Sequence, residues 1–147
     1  REAEGAIVWQ DMLGRCEAIE SLLVNVEKRL PAVLEEYRLR LSDRLGKLLQ
    51  GLGVSVTEED VRRELALFAD RSNIAEELSR LRGHCAMMRA QAERDEAVGR
   101  RLEFIAQEMF REANTMGSKS NDTRLIEILL DVKTEVEKLR EQSLNVE

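Results

Sequence analysis

The chain has 147 residues, 35% of them charged and only 3% aromatic, with a single Pro and a formal net charge of −6. That length suits one compact domain or two smaller helical units, and the composition favours long helices over sheets. The acidic balance weighs against a surface that binds nucleic acid over its whole extent, so a site of that kind must be local or completed by another part or subunit. No apolar run approaches the roughly 20 residues of a membrane span. Cys16 and Cys85 stand far apart in no metal-binding spacing, and both fall on apolar helix stripes. They read as small buried hydrophobes in a reducing cytoplasm. Arg1-Glu2-Ala3-Glu4 opens the chain without a Met and in what reads as mid-helix, so the expectation is a piece of a longer protein whose N-terminal domain is absent here.

The first element runs over residues 1–56 and is a coiled-coil-like helical arm. Val8, Met12, Cys16, Ile19, Leu23, Val26 and Leu30 recur at steps of three and four, and Leu34, Tyr37, Leu41, Leu45 and Leu48 continue the seam. Pro31 lies inside this run and should kink the helix or start a new one. Gly51-Leu52-Gly53 ends it. Thr57 is placed to cap the next helix, with Asp60 in the reciprocal position of a capping box. A second seam then carries Val61, Leu65, Phe68, Leu78, Leu81, Cys85 and Met88. Two such seams joined by a short Gly-rich turn predict an antiparallel hairpin, with a break allowed at Ser72-Asn73. A charged link over 93–96 follows.

A third helix is expected from Val98 to Met116, with Leu102, Ile105, Met109, Ala113 and Met116 on its apolar face. A loop over 117–121 leads to Asp122, which caps a last helix whose core face is Leu125, Ile128, Leu129, Val132, Val136 and Leu139. The fold class is therefore all-α: a long antiparallel helical hairpin followed by two further helices. Residues 57–147 form the helical domain proper. Long thin hairpins bury little surface alone, so self-association or docking onto the absent half of the protein is expected to complete the core.

Two polar stripes stand out. On the second segment Asn73, Glu77, Arg80 and His84 fall within about 60° of one another at 100° per residue. A carboxylate, a guanidinium and the chain's only imidazole at one-turn intervals suit a divalent ion or a phosphodiester. The same spacing equally suits a solvated face held by ion pairs. The third helix carries Arg100, Gln107, Glu108, Arg111, Asn114 and Thr115, with Glu112 at the margin. Amides and a threonine are poor helix formers for a plain solvent face, and a polar contact between subunits is the other reading. Gly117-Ser118-Lys119-Ser120 precedes a helix N-terminus, where Lys119 suits phosphate contact, although an exposed turn explains it too. A P-loop is excluded: Lys119 does not directly follow Gly117, and a helix precedes the loop. Stacking platforms are nearly absent, since Trp9 and Tyr37 are isolated and the phenylalanines mostly read as core.

The run from Gly99 to Asp122 (GRRLEFIAQEMFREANTMGSKSND) resembles the hallmark segment of the YicC/YloC family. So do Ala69–Leu81 with His84, the tail Glu137–Glu147, and the opening Arg1–Gly5. The likeness covers the chain end to end. It implies a bacterial, cytoplasmic, stress-related endoribonuclease: a hydrolase of RNA phosphodiesters, dependent on a divalent metal ion (Mg or Mn) and homo-oligomeric, to the point of a hexamer. Asn73 stands where the family usually has Asp, and Phe110 where it usually has Asn; a neutral amide is a poorer metal ligand than a carboxylate. Joining the matched motifs to the stripes gives Glu77, His84, Glu108 and Glu112 as candidates for acid/base work, with Glu77 and Glu108 also as metal ligands. Arg80, Arg100, Arg111, Asn114 and Lys119 are the candidates for RNA contact. The alternative is a non-catalytic module that oligomerises and adapts RNA. A pure coiled-coil protein would leave the amide-rich third helix unexplained.

Overall fold

The computed structural model describes residues 2–93 and 99–145, with side chains described over 7–91 and 100–145. The described residues form five helices: α1 (Glu2–Leu49), α2 (Glu58–Arg71), α3 (Ala75–Glu93), α4 (Gly99–Ser118) and α5 (Thr123–Ser143). No strand occurs among them, as the composition predicts. Residues 94–96 of the expected charged link, the Val98 helix start, and the ends of the opening and tail motifs at Arg1 and 146–147 lie outside the described residues.

Four helices close into a ring in which α1 touches α3 and α5, α3 touches α4, and α4 touches α5. The side-chain pairs give the directions. Arg15 reaches Glu135 at 3.0 Å and Arg29 reaches Asp122 at 2.9 Å, so α1 and α5 run antiparallel. Glu20 pairs with Arg89 and Glu27 with Arg82, which sets α3 antiparallel to α1. Short links then make α4 and α5 an up-and-down pair. The apolar seams expected on the last two helices meet inside this ring: Leu102, Ile105, Met109, Ala113 and Met116 face Leu125, Leu129, Val132, Val136 and Leu139, all buried. Each fully buried Leu, Ile or Met contributes about 2 kcal/mol of transfer free energy. Cys16 and Cys85 are both buried in the same core. A hydrogen bond to Cys16 and burial push the Cys85 thiol up, which keeps it protonated and inert.

The caps follow the sequence. Thr57 and Asp60 exchange both bonds of a capping box, and the Asp122 carboxylate accepts from the Leu125 amide at 2.9 Å. Asn73 Oδ1 accepts from the Ala75 amide at 3.0 Å, so the break allowed at Ser72-Asn73 is used. Two expectations are corrected. The helix runs through Pro31 as one element; Pro31 is solvent-exposed, and α1 packs on the bundle on both sides of it. Gly117 and Ser118 belong to the last turn of α4 rather than to a loop. Beyond Val33 no α1 side chain is buried, and α2 touches only α1 among the described helices. There Tyr37 stacks on Phe68, with ring centroids 3.8 Å apart and planes within 7°.

Candidate metal and phosphate cleft between α3 and α4

The two polar stripes lie on adjacent antiparallel helices, and the fold brings them face to face. Glu108 and Glu112 are four residues apart on α4 and therefore share one face. His84 comes from α3. One donor atom from each of the three lies within 4.8 Å of the others, which is ligand spacing for a single cation. Two carboxylates one turn apart repel each other, and Glu112 is buried, so the arrangement calls for positive charge. Part of it comes from Arg80, whose guanidinium lies 3.8 Å from Glu112 and 3.2 Å from Glu76. His84 Nδ1 is buried and meets no hydrogen-bond partner among the described residues. An orphaned imidazole nitrogen beside two carboxylates is a donor set that fits a divalent ion.

The cluster opens into a cleft of about 580 Å³ lined by Arg80, Gly83, His84, Met87, Glu108, Arg111 and Glu112. Gly83 keeps one wall low, since a side chain there would project into open space. Five of the residues singled out by sequence thus meet at one place: His84, Glu108, Glu112, Arg80 and Arg111. Arg100 and Asn114 are exposed on α4, one to either side of the cleft lining.

Glu77 and Lys119 behave differently from the sequence expectation. Lys119 Nζ donates to Glu77 Oε1 at 2.7 Å and to the Asn73 carbonyl at 3.2 Å. Burial pushes the Glu77 carboxyl up, but Lys119, a backbone hydrogen bond and Arg80 outweigh it and hold the group below its ordinary range. The two side chains neutralise each other and staple the α4–α5 turn to the start of α3. Glu77 stands outside the three-residue cluster, and Glu112 with His84 stands inside it. Pairing across 42 residues of chain is invisible to helical spacing.

Phe104 also departs from expectation. Rather than joining the core it is 60% exposed, while Phe68 is buried and Phe110 lies half-buried under Lys133. Its sequence carried the signal, because Phe104 falls two residues, or about 200°, round the helix from the buried Leu102.

The family model for the C-terminal part of YicC-like endoribonucleases matches residues 26–147. The chain belongs to the YicC-like family. A probable endoribonuclease YicC of Clostridioides difficile (strain 630) is 36% identical over all 147 residues, which cover 50% of that protein. A probable endoribonuclease YicC of Haemophilus influenzae is 34% identical over 134 residues, 89% of this chain and 45% of that protein. The chain spans about half the length of the curated relatives it matches. The YicC-like match covers all of α2 to α5 and the part of α1 that lies beyond residue 25, and with them every residue of the cleft.

Proposed function

We propose that this chain supplies the metal and phosphate site of a YicC-like endoribonuclease that hydrolyses RNA phosphodiesters. The observation that carries the reading is the convergence of His84, Glu108 and Glu112 within 4.8 Å in a cleft rimmed by Arg80 and Arg111. His84, Glu108 and Glu112 would hold a divalent ion, and the mixed imidazole–carboxylate set suits Mn better than Mg. When bound, such an ion supplies charge that polarises the phosphodiester and stabilises the charge developing on it. Arg80 and Arg111 bind and orient the phosphate, Arg80 already being placed by Glu76 and Glu112. A carboxylate oxygen left free at Glu108 would accept the proton of the attacking water as the phosphorus–oxygen bond to the leaving ribose oxygen breaks, that oxygen taking a proton from solvent. Arg100 and Asn114 extend the path of the RNA strand along α4 beyond the cleft. The Glu77–Lys119 pair acts as a positioning element, fixing α3 against α4 so that His84 faces the two glutamates.

Homo-oligomerisation belongs to the same reading. Leu39, Leu48, Leu52, Val54 and Leu67 are exposed on the distal part of α1, the turn after it and α2, an apolar surface that a second copy would cover. Each added copy brings a further −6, so the positive charge for RNA has to be local, from side chains such as Arg80 and Arg111 at the cleft.

The test is cleavage of a defined RNA by the full-length protein. Glu108→Gln and His84→Ala should each lower kcat by at least about 100-fold, and Arg111→Ala should mainly raise KM. Cleavage at the parent rate by both Glu108→Gln and His84→Ala would leave the adaptor reading in place.

A further inference from the structure

One exposed aromatic side chain lies beside the cleft without a role in the reading above. The register between α3 and α4 places it. His84 faces Glu108 and Arg80 faces Glu112, so four residues along one helix match four along the other in the opposite direction. Continuing by one turn towards the α3–α4 link reaches Phe104 on α4 and the level of Met87 and Met88 on α3. Met88 is buried in the core, whereas Met87 is 41% exposed and lines the cleft. Phe104 lies four residues before Glu108 and so shares its face within about 40°. Two exposed apolar side chains are therefore set at about the same level on neighbouring helices, and Phe104 lies four residues, a rise of about 6 Å, from Glu108.

The charges on either side say what fits there. Along this face of α4 the order is Arg111, Glu108, Phe104, Arg100 at steps of three or four residues, with both arginines exposed. An apolar ring with Arg100 on one side, and on the other Glu108 of the proposed ion site followed by Arg111, matches a nucleobase whose neighbouring phosphates are held by Arg100 and by the cleft. We propose that Phe104, flanked by Met87, is a base-stacking shelf that takes an unpaired nucleobase next to the phosphate in the cleft. The site then accepts single-stranded RNA: a base held in a duplex stacks on its own neighbours and cannot lie on the Phe104 ring without leaving the helix. This rests on the RNA reading of the same cleft and adds its substrate class.

The experiment uses the full-length protein carrying Glu108→Gln, so that binding is read without cleavage, and short RNA oligonucleotides with 2-aminopurine scanned along the strand. At one position the fluorescence should be quenched on binding. Phe104→Ala should abolish that quench and weaken binding about tenfold, and Phe104→Trp should retain both. Replacing that one nucleotide by an abasic one should weaken the parent by a similar factor and the Phe104→Ala protein no further. A blunt RNA duplex should be insensitive to Phe104→Ala. Equal affinity and equal quench in the Phe104→Ala and Phe104→Trp proteins would overturn the shelf, as would independent losses from Phe104→Ala and the abasic site. A change in oligomeric mass with unchanged RNA affinity would also overturn it, marking Phe104 as a subunit contact instead. Cleavage by the protein with a native Glu108 is scored separately, so an enzyme that cuts RNA without using Phe104 removes the shelf alone, and a protein that neither cuts nor binds RNA removes both.

Discussion

The Glu77–Lys119 pair shows how much one contact can decide. The Glu77 carboxylate is almost wholly buried, 5% exposed, and its charge is tolerated because Lys119 lies at 2.7 Å. Lys119→Ala should therefore cost about 2 kcal/mol in urea unfolding at neutral pH, while Glu77→Gln should cost less because the amide oxygen still accepts from Lys119. Since folding holds the Glu77 carboxyl below its ordinary 4.5, the pair's contribution is complete above that pH and is lost as pH falls through the lowered value. The parent and Lys119→Ala curves should therefore converge in acid; a gap that widens with acidity would contradict the assignment. Part of the candidate site was legible at this scale. Glu108 and Glu112, four apart, and His84, four beyond Arg80, announce shared faces from spacing alone. Which stripe faces which was not legible, because helical periodicity describes one helix and says nothing of its neighbour. Sequence alone therefore groups Glu77 with the ligands and Lys119 with the phosphate contacts, whereas in the fold they bind each other.

At the scale of elements, the start of α5 is fixed twice over, by a cap and by an ion pair. Asp122 caps α5 at the Leu125 amide and also receives two hydrogen bonds from Arg29 of α1, at 3.0 and 2.9 Å. The Arg29 hydrogen bonds, helped by the Leu125 amide, hold the Asp122 carboxyl below its ordinary range against the effect of burial. Loss of the cap alone costs about 1 kcal/mol. Asp122→Ala should exceed that figure, and Asp122→Asn, which keeps the cap and loses the charge, should fall between it and the parent in thermal unfolding. Equal stability of all three would show that α5 is placed by its apolar face alone. The cap itself was readable in sequence, as were the Thr57 capping box and the core faces of α4 and α5. Pro31 was not, because a proline on the exposed face of a helix packed on both sides is overruled by that packing. Arg29 was not either, standing 93 residues from its partner.

The whole molecule joins a four-helix ring to an arm. The ring buries a continuous apolar core, while the arm leaves Leu39, Leu48, Leu52, Val54 and Leu67 in solvent. Composition made the all-α class plain, because few strand formers and a charged, Leu-rich sequence leave no other economical way to bury apolar surface. The closed ring itself depends on salt bridges and core contacts between distant segments that no local pattern encodes. Among the described residues, the proposed function rests on the groove where buried Glu112, half-buried Glu108, an orphaned imidazole and exposed arginines coincide. Binding of Mn(II) to the full-length protein, followed by electron paramagnetic resonance, tests that groove most directly. The account predicts a saturable ion whose signal changes in the parent, is lost in Glu108→Gln and Glu112→Gln, and persists in Glu77→Gln. Undiminished Mn(II) binding in both the Glu108→Gln and Glu112→Gln proteins would contradict it.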